Sequence, residues 1–172
     1  NYDTYTDNYG EYEDWVELYN PTPNAIDVSG WYLSDKVNKP TKWMVPSSFI
    51  IPANGVAIIY CSGRDEVVGG NAHSNFKITQ TKGNEVLMLS NPIGIFLDSI
   101  RIIPNQKSHT RGRDTDGAAN WNIFVNGTPN SSNAGAMQDY ATTPIFSQSG
   151  GYYNSAINLT LSSPDPIYYT TN

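Results

Sequence analysis

Asp14-Trp15-Val16-Glu17-Leu18-Tyr19-Asn20-Pro21 decides the architecture of this 172-residue chain. Aromatic and β-branched side chains favour an extended strand, and the Asn-Pro pair ends it. The same grammar recurs downstream. Ile26-Asp27-Val28 closes on Ser29-Gly30, and Trp31-Tyr32-Leu33-Ser34 follows. Lys42-Trp43-Met44-Val45 stops at Pro46 and Phe49-Ile50-Ile51 at Pro52, after which Ala53-Asn54-Gly55 turns into Val56 to Cys61. That last run is apolar enough to be buried on both faces. Ser62 to Ser74 reads as loop, and Asn75-Phe76-Lys77-Ile78 as a further strand. Lys82-Gly83-Asn84 turns into Glu85 to Ser90, and Asn91-Pro92-Ile93-Gly94 into Ile95 to Ile103. In this last strand Phe96, Asp98 and Ile100 alternate with Ser99 and Arg101 opposite, which sets one side against solvent. Asn120 to Phe124 is a final short strand. Upstream, residues 1–13 alternate Tyr with Asp, Thr, Asn and Glu, a polar lead-in loop.

No stretch shows a capped 3.6-residue apolar period, so almost no helix is expected. Short strands with turn signals every 8–12 residues or so are the pattern of a β-sandwich or barrel. The predicted class is therefore all-β, and the length suits one ordinary domain with an appendage. Only 15% of residues are charged, while 12 Tyr and 4 Trp are present. Average soluble domains carry roughly 25% charge. A Tyr-, Asn-, Ser- and Thr-rich chain of low charge points to work outside the cytoplasm, either secreted or at the cell surface. Net charge is −6 and the pI about 4.7. Such a domain is repelled by a phosphate backbone, which makes nucleic acid a poor partner. No run approaches the ~18 apolar residues of a membrane span. The lone Cys61, in an apolar run, excludes an internal disulfide or a CxxC-type zinc site and reads as a small buried hydrophobe. The sequence opens on Asn1 rather than on a signal peptide, as expected of a segment of a longer exported protein.

Texture changes after Thr128-Pro129-Asn130. Residues 1–135 read as the sandwich, 136–143 as linker, and 144–172 as the truncated start of a second β domain or a docked tail. In this last part Pro144 to Ser147 and Ile157 to Leu161 flank a Gly150-Gly151 turn, and Asp165 to Thr171 adds a strand. So few strands cannot bury a core alone.

The ordered set of motifs resembles the lamin tail domain family in its bacterial exported members. It comprises Asp14 to Pro21, Asp27-Val28-Ser29-Gly30-Trp31-Tyr32-Leu33-Ser34-Asp35, Ile51 to Gly55, Asn75-Phe76-Lys77 and Glu85 to Ser90. Arg113, Asp116-Gly117, Trp121 and Thr128-Pro129-Asn130 complete it. The resemblance implies an immunoglobulin-like β-sandwich, a scaffolding or binding role, and no catalytic centre. It also implies a first strand like Ile-Asn-Glu before the Tyr-rich loop; this sequence starts after that point, so either that strand has been removed or another element closes the sheet edge, and an edge left unpaired invites strand addition by a partner. The tail resembles the opening of the small β domain attached to chitobiases and related glycosidases, through Pro144-Ile145-Phe146-Ser147, Ser149-Gly150-Gly151-Tyr152 and Ile167 to Thr171.

Catalysis has no support in spacing. The 16 Asp and Glu offer no singled-out pair, and His73 and His109 fall in predicted loops beside Ser74 and Ser108. Gly-x-Ser-x-Gly and phosphate-cradling Gly-rich motifs are absent, so no cofactor is expected. Asp114-Thr115-Asp116-Gly117 has the Asp-x-Asp-Gly spacing of a Ca²⁺ loop without its distal Glu. Asp114 and Asp116 are the metal candidates, against an ordinary turn with Arg111 and Arg113 as ion-pair partners. The acidic opening segment, Asp3, Asp7, Glu11, Glu13 and Asp14, is an equally loose one. Aromatic platforms stack on sugar rings. Trp15, Trp31, Trp43 and Trp121 lie in strands and are expected in the core. Tyr9 and Tyr12 in the lead-in, and Tyr152 and Tyr153 beside the Gly turn, are the ligand candidates. Lys36, Lys39 and Lys42, and the Lys107, Arg111 and Arg113 region, read as solvated loops, and three Asn-x-Ser/Thr sequons matter only in a glycosylating host. Two readings follow: a non-catalytic scaffolding or protein-interaction domain, and a carbohydrate- or envelope-binding module that targets an attached catalytic domain. Neither fixes the oligomeric state.

Overall fold

The computed structural model describes residues 4–79 and 85–170, which divide into two compact units, Asn1–Met137 and Gln138–Asn172. The expected turn at Lys82-Gly83-Asn84 lies outside the described residues, as do Tyr2, Asp3 and Thr171. Among the described residues every regular element is a strand, and no helix is long and apolar enough to cross a membrane.

The first unit is a sandwich of two four-stranded sheets. One is ordered β1 (Trp15–Tyr19), β6 (Val56–Tyr60), β8 (Asn71–His73), β7 (Glu66–Val68). The other is ordered β10 (Phe96–Arg101), β9 (Val86–Ser90), β3 (Tyr32–Ser34), β4 (Trp43–Met44). Two ribbons complete it, β2 (Ile26–Asp27) with β5 (Ile50–Ile51), and β11 (Thr110–Arg113) with β12 (Trp121–Phe124). Ile59, Cys61 and Ala72 of the first layer meet Leu33 and Trp43 of the second around Val28, Val45, Phe49, Ile51 and Phe76. Of the four tryptophans expected in this core only Trp43 is buried; Trp15, Trp31 and Trp121 are half-buried. Trp43 keeps its indole N–H satisfied by donating to Asp65 Oδ1 at 2.9 Å. Asn20 closes the strand-stop motif. Its amide, 1% exposed, donates to the carbonyls of Asn24, Ile51 and Pro52 and accepts from Thr22 N–H and O–H.

Four expectations are corrected. Ser62 to Ser74 is not loop throughout: it holds the β7–β8 hairpin, whose two central residues, Gly69 and Gly70, have φ of 59° and 83°. Two successive left-handed glycines make the turn whose twist suits a tight hairpin, so the glycines that read as loop are its hinge. Asn75 to Ile78 contributes only one bridge, Ser62 to Lys77, and no strand. The Arg111 and Arg113 region is strand β11 rather than solvated loop. In β10 a bulge between Phe96 and Asp98 breaks the alternation, so Phe96, Leu97 and Asp98 are all exposed instead of one face being covered. An extra residue on one strand resets which way every following side chain points.

The second unit has two-residue strands β13 (Ile145–Phe146) and β14 (Leu161–Ser162), and none of its described residues is buried. The strand expected over Asp165 to Thr171 is irregular through residue 170.

Candidate functional site

Strand registry builds the first cluster. Trp15 pairs across with Tyr60, Tyr60 with His73, and His73 with Glu66, so these four form one row over the outer face of the first sheet. The Tyr-rich lead-in packs onto that row. Tyr5 sits edge-on to Trp15 at 6.0 Å and stacks on Tyr60 at 6.3 Å; Tyr60 stacks on His73 at 5.1 Å, and Tyr9 tilts over His73 at 5.6 Å. Polar contacts fasten the same segment. Tyr9 O–H donates to Glu66 at 2.8 Å, the Arg64 guanidinium lies 4.4 Å over the Tyr9 ring and pairs with Glu11, and Lys77 pairs with Glu13 at 2.9 Å. Asp7, 6% exposed, accepts the Tyr9 and Glu11 amides. Proximity to Glu66 pushes the Tyr9 phenol above its ordinary range, the hydrogen bond to that carboxylate being the main cause.

At the centre of this row lies Ser62–His73–Asn8. Nδ1 of His73 is 2.9 Å from Ser62 Oγ, and Nε2 is 2.7 Å from Asn8 Oδ1. Burial holds the His73 pKa below its ordinary value, which favours the neutral ring. A neutral ring donating from Nε2 to Asn8 and accepting the Ser62 hydroxyl at Nδ1 satisfies every atom. Hydroxyl, base and orienting amide are the components of an activated nucleophile. Ser62 and His73 are both buried, however, and the arrangement ties the lead-in to the sheet. Sequence reasoning missed it, since the three residues come from a loop, a bridge and a hairpin. The only signal was His73 itself, which looked like a loop residue.

A groove opens on the other side of the first unit. Asn20 N–H bonds Gly55 O and Cys61 N–H bonds Asp14 O, which makes even-numbered residues the hydrogen-bonded partners of β6. In an antiparallel ladder the residues between them turn both N–H and C=O away. The main-chain groups of Trp15, Glu17 and Tyr19 therefore point outward from an edge that no strand covers among the described residues. Beyond that edge is a cavity of about 750 Å³, walled by Val16 and Leu18 on one side and by Leu87, Leu89, Ile100 and Trp121 on the other. Glu17 sits at its mouth. Burial pushes its carboxyl pKa up, nearby Asp116 adds to the rise, and a hydrogen bond from Asn130 N–H at 2.7 Å opposes it. No cation pairs with Glu17 among the described residues.

The sequence-derived candidates fall in separate places. Asp114 and Asp116 lie in the β11–β12 turn, where Asp114 accepts the Thr115 amide at 3.0 Å and Asp116 the Asn133 amide at 2.8 Å. Among the described residues no group of three His, Cys, Asp or Glu side chains is placed to hold a metal ion. Arg113 does not pair with these carboxylates as expected: it reaches Asp98 at 2.7 Å and lies 5.0 Å over the Trp121 ring, because β11 points it back across the groove. Tyr9 belongs to the lead-in cluster and stays 46% exposed, as Tyr12 does at 50%. Tyr152 and Tyr153 are exposed on the second unit, Tyr153 O–H donating to Ser149 O. Lys42 of the basic loop is paired with Asp35 at 2.6 Å.

Comparison with known proteins agrees with this architecture. The profile of the family described as Lamin Tail Domain matches residues 1–104, from the lead-in through β10. Neither a curated protein nor a solved structure matches the chain. The matched residues supply both sheets of the sandwich and all of the His73 cluster, whereas the β11–β12 ribbon at the far side of the groove lies beyond them. With its all-β, two-layer fold and more than half of its length matched, the chain belongs to the lamin tail domain family of immunoglobulin-like β-sandwiches.

Proposed function

We propose that this chain is a non-catalytic scaffolding or protein-interaction domain of a larger, exported, multidomain bacterial protein. Membership of a family that is typically non-catalytic supports an accessory role. One observation carries the interaction reading: an apolar groove of about 750 Å³ beside a strand edge that no strand covers among the described residues. Sheet edges and exposed apolar surface are where β-proteins meet partners. The net charge of −6 disfavours nucleic acid as that partner. Low charge and abundant Tyr, Asn and Thr support an extracytoplasmic setting. The second unit, with no buried residue among those described, is consistent with the opening of a further β domain of the chitobiase-attached kind.

Photo-crosslinking in the producing cell tests the reading. A photoreactive residue placed at Leu97 or Val125, both exposed, is expected to form a discrete protein adduct that excess purified chain competes away. Absence of any such adduct counts against it. So does turnover of ester or glycoside substrates that is lost in His73→Ala, because that makes the Ser62–His73 pair catalytic.

The alternative is a carbohydrate- or envelope-binding module. The exposed rings of Tyr9, Tyr12, Tyr152 and Tyr153 favour it, and Asp114 and Asp116 supply carboxylates for a Ca²⁺-dependent version. A glycan panel probed with and without Ca²⁺ separates the two readings. Binding that Tyr9→Ala or Tyr152→Ala abolishes selects the module.

A further inference from the structure

We propose that Asn126 is a site of spontaneous deamidation, at which the native protein converts an asparagine into aspartate and isoaspartate. Neither Asn126 nor Gly127 lines the groove, so the site stands apart from the partner-binding reading.

The chain holds two Asn-Gly dipeptides, Asn54-Gly55 and Asn126-Gly127. Glycine has no Cβ to shield its main-chain nitrogen, which can therefore approach the carboxamide of the residue before it. Tertiary structure treats the two pairs in opposite ways. Asn54 N–H donates to Thr22 O at 2.9 Å, Gly55 N–H donates to Pro52 O at 3.2 Å, and Gly55 O accepts Asn20 N–H at 2.9 Å. The Asn54 backbone is held at a φ of 48°. The Gly55 nitrogen is thus committed to Pro52 and fixed on both sides.

Asn126-Gly127 lies in the connection that leaves β12. Asn126 is exposed, and among the described residues no acceptor takes the Gly127 N–H. Packing also keeps this second position glycine. A Cβ on Gly127 would lie 3.0 Å from the Thr110 side chain on β11, and a β-branched side chain has little rotamer freedom to give way. The fold therefore requires, next to an exposed asparagine, the residue that makes that asparagine reactive.

Water is the only co-reactant. The Gly127 nitrogen loses its proton to solvent base and attacks Cγ of Asn126. The new C–N bond closes a cyclic imide, and the carboxamide nitrogen takes up a proton and leaves as ammonia. Water then opens the ring. Breaking the Cγ–N bond gives aspartate, while breaking the bond from the Asn126 carbonyl carbon to Gly127 N gives isoaspartate, with the main chain rerouted through the side chain. Nothing is oxidised or reduced, and each event adds one negative charge to the net −6.

The full chain is incubated in mildly alkaline buffer and both asparagines are followed by peptide mapping with mass spectrometry. Isoaspartate is read separately by methyltransferase labelling. In the native protein Asn126 is expected to convert about tenfold faster than Asn54, because the Gly55 hydrogen bond has to open before Asn54 can react. In denaturant, where the fold no longer separates them, the two convert at similar rates. Asn126→Gln removes the isoaspartate label from the native protein, and the comparison with Asn54 in the unaltered chain keeps the test independent of that variant. Equal conversion of both asparagines in the native protein, faster conversion of Asn54, or a native Asn126 that stays intact while the denatured chain reacts overturns the proposal.

Discussion

At the residue scale, two buried polar groups hold the frame. Asn20→Ala removes a side chain that satisfies three carbonyls and one amide at the end of β1. Leaving them buried and unpaired costs about 2–4 kcal/mol, measurable as a drop in the denaturation midpoint with unchanged slope. His73 has a folded pKa below the 6.5 of the free side chain, mainly through burial, with Arg64 acting in the same direction and Asp7, Glu66 and Glu13 opposing. The unfolded chain therefore takes up the proton first. Stability is fully present above about pH 6.5 and falls as pH drops towards the folded pKa. His73→Gln is expected to flatten that part of the stability–pH curve. Cys61 is 1% exposed and burial pushes its thiol pKa up strongly. Its reaction with a thiol reagent is expected to track unfolding and to be negligible in the native protein; rapid native labelling contradicts this packing.

At the element scale, the parity of β1 sets its exchange behaviour. Amides of Val16 and Leu18 bond β6 and are expected to exchange slowly, while those of Trp15, Glu17 and Tyr19 exchange fast without a partner. Uniform protection across the five residues contradicts an open edge. The β11–β12 turn depends on Gly117. Its φ is 72°, and a Cβ there comes within 3.1 Å of the Tyr19 ring. Gly117→Ala combines a left-handed backbone with that clash and costs about 1–2 kcal/mol, read from thermal or denaturant unfolding. In the same hairpin the Arg113 guanidinium lies over the Trp121 ring and donates to the Ala118 and Ala119 carbonyls, so that its other amino group reaches Asp98 rather than the neighbouring carboxylates of Asp114 and Asp116.

At the scale of the molecule, the two units differ in kind. The first has a two-layer core, whereas the second has two strands of two residues and no buried residue among those described. A peptide of residues 138–172 alone is expected to show no cooperative unfolding transition by circular dichroism, because so few strands without a core are marginal in water. Local chemistry foretold most of the sandwich. Strand-stop pairs at Asn20-Pro21 and Ala53-Asn54-Gly55, and the apolar run through Cys61, depend on neighbours in sequence and came out where the residues place them. The β7–β8 hairpin did not, because Gly69-Gly70 has the same composition in a loop and in a tight turn. Arg111 and Arg113 were hidden for a related reason: a charged strand at a groove rim shows no alternating apolar pattern.

What the sequence by itself determined is the class: all strand, two layers, one family, with short periodic segments bounded by residues that cannot continue them. Which side chains work together was decided only in three dimensions. Asn8, Ser62 and His73 meet because β6 and β8 run parallel, and the open edge of β1 exists because no described strand lies beside it. Local preference is encoded in adjacent residues, but hydrogen-bond partnership and cavity shape arise from contacts between residues distant along the chain, and no spacing in one sequence specifies those.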